Sequence, residues 1–159
     1  MELFDNYRPN HYKVPVYRRI KIFLKEHQGL DVSKPINCDE YSLLGKFVMA
    51  ALREKRKEQL MAYNSLYRDQ ANDFLVLALS KDMMDLSPKI TSLMRINADV
   101  DLLLKSALLT HIEAQRVVGF PEYTACRNFL EHYKLTDDYS LDAAYKTFQR
   151  VKVFTPMLS

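Results

Sequence analysis

Three glycines in 159 residues, Gly29, Gly45 and Gly119, constrain this chain more than any other feature. An all-β sandwich or barrel reverses direction often and draws on glycine and proline to do so. Six prolines and three glycines are too few for that. The same scarcity excludes a glycine-rich loop that cradles phosphates, because its backbone has to approach the ligand closely. The chain therefore reads as mostly α: a compact helical bundle in a single domain, residues 1–159. An irregular arm covers about 1–12 and a short tail about 154–159.

Apolar spacing places the helices. Val16, Ile20, Phe23 and Leu24 fall on one helical face, and Gly29 stops that helix. Asn37, with Glu40 three residues on, suggests an N-cap and capping-box partner for a helix carrying Tyr41, Leu44, Phe47, Val48, Ala51 and Leu52. Residues 58–72 read as a short helix or an ordered loop. Ser80 caps a short helix with Met83, Met84 and Leu86, and Ser87-Pro88 looks like a second start, with proline at the first helical position. Residues 99–118 form the central helix, apolar almost all round, closed by Gly119-Phe120-Pro121. Helices then follow from Pro121-Glu122 to Tyr133 and from Ser140 to about Lys152.

One segment breaks the pattern. Phe74 to Leu79 is a continuous apolar run before the Ser80 cap and reads as a buried strand. A strand has to satisfy its backbone, and residues 13–16, with Pro15 suited to an edge, are the available partner. The expected β element is two-stranded, 13–16 with 74–79. This run, also the longest apolar one, is far shorter than the roughly 20 residues that span a bilayer. The first residues, Met1-Glu2-Leu3-Phe4-Asp5, lack the apolar stretch of a secretory signal, and Cys38 and Cys126 have no spaced partners. A cytoplasmic, reducing setting without membrane contact follows as the expectation.

No catalytic signature emerges. There is no G-x-S-x-G, no H-E-x-x-H, no paired cysteines and no metal-ligand spacing. His111-Ile112-Glu113 echoes the H-x-E of zinc deaminases, but those sites need a closely spaced cysteine pair downstream and Cys126 stands alone. His111 is better explained as a core or interface histidine. Asp82, Asp85, Asp99, Asp101, Asp137 and Asp138 sit near helix starts, where carboxylates serve capping and the helix dipole. The chain is expected to be non-enzymatic, with no cofactor, metal or small-molecule ligand.

Charge offers a better lead. The net charge is +3, and the excess lies in residues 1–80, with 13 Lys and Arg against 10 Asp and Glu. Arg18, Arg19, Lys21 and Lys25 decorate one short helix, interleaved with Tyr12, Tyr17 and Phe23. Arg53, Lys55, Arg56 and Lys57 form a second cluster. Cations with aromatic neighbours suit backbone phosphates and stacked bases, although each cluster alone is also what a solvated helix face looks like. The last two helices resemble a helix-turn-helix in outline, and the second carries Lys146, Gln149, Arg150 and Lys152, types that contact phosphates and base edges. Their turn, Lys134 to Ser140, is longer than the usual three or four residues and carries Asp137 and Asp138, so an ordinary αα-hairpin fits as well. Two functions compete, with an enzyme whose active site follows no known motif as a third. The first is a small nucleic-acid-binding protein, a regulatory or accessory factor. The second is a structural or assembly subunit acting through protein contacts or as a homo-oligomer, suggested by the tyrosine-rich first half (Tyr7, Tyr12, Tyr17, Tyr63, Tyr67).

Overall fold

Alternation of buried and exposed side chains sets the sheet. In β1, His11–Val16, Val14 and Val16 are wholly buried while Lys13 is exposed. β2, Ile36–Cys38, buries its two ends and exposes Asn37. β3, Asp73–Leu79, is buried at every position from Leu75 to Leu79, as a strand covered on both faces should be. β3 is indeed central: the order is β1-β3-β2, with β1 antiparallel and β2 parallel to β3. Val14 lies opposite Leu75, Pro15 opposite Phe74, and Ile36 opposite Leu77. The computed structural model describes residues 8–53 and 71–154, with side chains through 151.

The chain is mostly α with a small mixed sheet. Its helices are α1, Arg18–Glu26; α2, Leu43–Arg53; α3, Lys81–Met84; α4, Ile90–Leu93; α5, Ile96–Val117; α6, Glu122–His132; and α7, Leu141–Phe154. α5 is the centre, in contact with α1, α2, α6 and α7. One core runs through all layers. Phe23, Phe129 and Phe148 are its largest fully buried side chains, each contributing on the order of 2–3 kcal/mol over exposure.

The β1–β3 pairing agrees with the sequence expectation, extended back to His11; three other details differ. The sheet has a third strand, because Ile36 and Cys38 alternate inward around Asn37. Asn37 is therefore not a helix cap. α2 starts instead at a turn where Asp39 Oδ1 accepts from the Tyr41 and Ser42 backbone N–H, and Ser42 Oγ accepts from Gly45 N–H. Ser87-Pro88 does not open a helix either. Ser87 sits at φ 52°, and Lys89 is the residue before α4, its carbonyl accepting from Ser92 and Leu93. α5 has apolar residues on both sides, as expected, but only one side is covered. It buries Val100, Leu104, Leu108 and Ile112 and leaves Leu102 and Val117 in solvent.

The caps at Ser80 and Ser140 are as expected. Ser80 Oγ accepts from Met83 N–H and Ser140 Oγ from Ala143 N–H. At the end of α5, Gly119 N–H donates to the Arg116 carbonyl and Phe120 N–H to the Gln115 carbonyl, with Gly119 at φ 101°. That is a Schellman closure, in which glycine adopts the left-handed conformation without strain. Among the described residues no helix is long and apolar enough to cross a membrane.

Candidate nucleic-acid interface

Two of the four cations of α1, Arg19 and Lys21, are held by carboxylates of the fold. Arg19 Nε donates to Asp101 Oδ1 at 3.2 Å, and Lys105 Nζ reaches the other oxygen at 3.3 Å. The guanidinium also lies 4.3 Å from the Tyr17 ring centre and 5.6 Å from that of Tyr139. Asp101 is only 5% exposed, so its charge depends on these two partners. Lys21 pairs with Asp73 at the start of β3 at 3.1 Å. Arg18 forms an ion pair with Asp138 at 3.6 Å, too long for a hydrogen bond, and its own side chain stays largely in solvent. Lys25 is exposed on the same helix, beside the charge of Asp31. Tyr12 and Tyr17 pack against the core.

The second cluster is only partly in view. Arg53 is exposed in the last described turn of α2. Lys55, Arg56 and Lys57 lie outside the described residues, as do segment 58–70, Tyr7, Tyr63, Tyr67, the start of the arm and the tail after Phe154.

α7 presents a different surface. Lys146, Gln149 and Arg150 are all exposed, at the i, i+3 and i+4 positions that share a helix face. No side-chain hydrogen bond or ion pair within the described residues engages them. The side chain of Lys152 lies outside the described residues. The opposite face buries Ala144 and Phe148. Tyr139 OH donates to Thr147 Oγ1 at 3.0 Å, and Tyr145 meets Tyr123 of α6 edge-on at 5.3 Å. α7 is thus a supported helix with a polar row facing outward.

The α6–α7 connection, residues 133–140, is fixed by more than its length suggests. Leu135 is fully buried and its N–H donates to the Leu130 carbonyl at 2.8 Å. Asp138 faces Arg18, which offsets its negative charge, whereas Asp137 is exposed. The turn is longer than that of a helix-turn-helix, so the likeness stops at two consecutive helices.

The remaining candidates show no catalytic arrangement. His111 is half-buried, meets Phe129 edge-on at 5.4 Å, and its Nε2 has no hydrogen-bond partner. Cys38 and Cys126 are free and buried, and burial pushes their thiols up to about 12 and about 11. No group of three metal-ligating side chains occurs among the described residues.

Periodicity did not reveal two features. One is Asp101, a charged residue in the core stripe of α5, spaced like Val100 and Leu104 and so hidden among them. The other is the corner between α5 and α6, where Val117 is 84% and Val118 71% exposed, next to exposed Phe120 and Tyr123. The Gly119 stop could have indicated it, since residues around a helix end project from the bundle. No family model matches the chain, and no curated protein or solved structure is significantly similar to it.

Proposed function

We propose that this chain is a small, non-enzymatic nucleic-acid-binding protein, a cytoplasmic regulatory or accessory factor, and that it binds through the outward face of α7. The observation that carries this is the contrast between two helices. The cations of α1 largely face carboxylates of the fold, while Lys146, Gln149 and Arg150 stand in one exposed row without an internal partner. Free cations release counterions when they meet phosphates, and a glutamine between them is a group that reads base edges. Exposed Arg53 and Lys25 add positive field without having to touch the ligand. Two buried, unpaired thiols agree with a reducing compartment.

The test is fluorescence anisotropy with short labelled duplex and single-stranded DNA and RNA at low salt, repeated as salt rises. Affinity should fall steeply with salt. Lys146→Ala with Arg150→Ala should reduce the slope of log K against log salt by about 2, roughly one for each phosphate left without its cation. No binding to any of these probes at low salt would refute the proposal.

A second function is favoured by the corner at Val117, Val118, Phe120 and Tyr123. Apolar side chains gathered at one exposed corner mark protein contacts. An assembly subunit would use them, and light scattering on the wild type against Val117→Ser with Phe120→Ser would separate an oligomer from a monomer.

A further inference from the structure

Three of the chain's four histidines meet around one aromatic row where α1, α5 and α6 come together. Phe23 stacks on His27 at 4.6 Å, His27 lies 4.9 Å from Tyr133, and Tyr133 lies 4.9 Å from Phe129. Phe129 meets His111 at 5.4 Å, and His132 meets Tyr133 at 4.6 Å. We propose that this row is a pH-sensitive latch that holds the C-terminal end of α1 against the α5–α6 hairpin while His27 and His111 are neutral and loosens when they take up protons.

Each ring has its own geometric reason to stay neutral. His27 Nδ1 lies 2.6 Å from Gln28 Nε2, and in this orientation of the amide the nitrogen donates and Nδ1 accepts. A proton there would set two donors against each other unless the amide turned over. His111 Nε2 is buried without a partner. Protonation would place an N–H there with nothing to receive it, at the cost of an unsatisfied buried donor. Burial lowers both rings below the ordinary histidine value, and the charge of His132 lowers His111 further.

Two of the carboxylates on these elements are already engaged by cations. The charged groups nearby are Lys25 and Glu26 on α1, Glu113 on α5, Glu131 and His132 on α6, and Lys134 just beyond it. Glu26 is paired with Lys134 at 3.5 Å and Glu113 with Arg116 at 2.6 Å. The charge of His132 adds to burial in lowering His111, and burial is what lowers His27. Above the ordinary histidine value both the closed and the opened states are neutral, and the latch keeps its full strength. As pH falls below about 6.5, the opened state takes up protons that the closed state resists, so opening becomes easier.

The experiment is amide hydrogen exchange over residues 23–30, corrected for intrinsic rates, at pH about 7.5 and about 5.5, with an NMR titration of the histidine rings. In the wild type, protection should fall about fivefold or more at the lower pH, with the His27 and His111 midpoints both below about 6.5. In H27Q/H111Q the fall should shrink to less than about twofold. His132→Gln, at an exposed position, should raise the His111 midpoint by removing a like charge. If the double variant does not fold, the wild-type titration decides. Either midpoint at or above about 6.5, unchanged protection in the wild type, or a full pH response in the double variant overturns the latch.

Discussion

Asn97 holds Tyr17 across half the length of the chain. Asn97 Oδ1 accepts from the Tyr17 backbone N–H at 3.1 Å, while Nδ2 donates to the Pro15 carbonyl at 3.1 Å and the Met94 carbonyl at 2.9 Å. One wholly buried amide thereby ties the β1–α1 junction to the start of α5. Asn97→Ala strands these groups and should cost about 2–3 kcal/mol in urea unfolding. Asn97→Asp should cost more at neutral pH, because a carboxylate would face two carbonyl oxygens.

Asp101 and Arg19 should respond asymmetrically. Asp101→Ala leaves a largely buried guanidinium without its anion and should cost about 3 kcal/mol or more. Arg19→Met should cost less, because Asp101 retains Lys105. Chemical denaturation of the two single variants orders them, and equal losses would mean that Lys105 contributes nothing.

Binding and stability should separate between helices. Lys21→Ala breaks the pair with Asp73 and should lower stability by up to about 1 kcal/mol, leaving affinity for nucleic acid within about twofold. Lys146→Ala should do the reverse. Thermal melts beside anisotropy titrations check both.

Two glycines should fail for different reasons. At Gly119 an added Cβ meets nothing, and only the positive φ is strained, so Gly119→Ala should cost about 1–2 kcal/mol. At Gly45 an added Cβ would fall on the Asp39 carbonyl oxygen and crowd Ser42 Oγ. Gly45→Ala has to move the β2–α2 turn, and its melting temperature should drop well below that of Gly119→Ala.

Cys38 and Cys126, with thiols near 12 and 11, should remain protonated at pH about 8. A thiol reagent should label the native protein only as fast as it opens and the denatured protein at once. Rapid native labelling of either would contradict its burial.

Local features were legible in the sequence. Ser80, Ser140 and Gly119 act within a turn of themselves, so neighbouring residues suffice to read them. The strand at 74–79 was legible because its apolar run is bounded by Asp73 and Ser80, and its pairing with 13–16 followed from the demand of its backbone. β2 was not, because three residues carry little alternation and Asn37 with Glu40 imitates a capping box. The cations of α1 were visible as a cluster, yet their engagement was hidden. Asp101 lies 82 positions from Arg19, and Asp73 lies 52 from Lys21. Spacing along a helix says nothing about partners that distant.

The position of β3 also sets the order in which the protein can be made. β1 leaves the ribosome early, but every residue it pairs with belongs to β3, and β2 depends on the same strand. Until Leu79 is clear of the exit tunnel, both edge strands are without a template and their backbone groups remain in water. The sheet therefore closes only once β3 has emerged, and until then β1 and β2 have no strand to pair with and their apolar faces are for chaperones to shield.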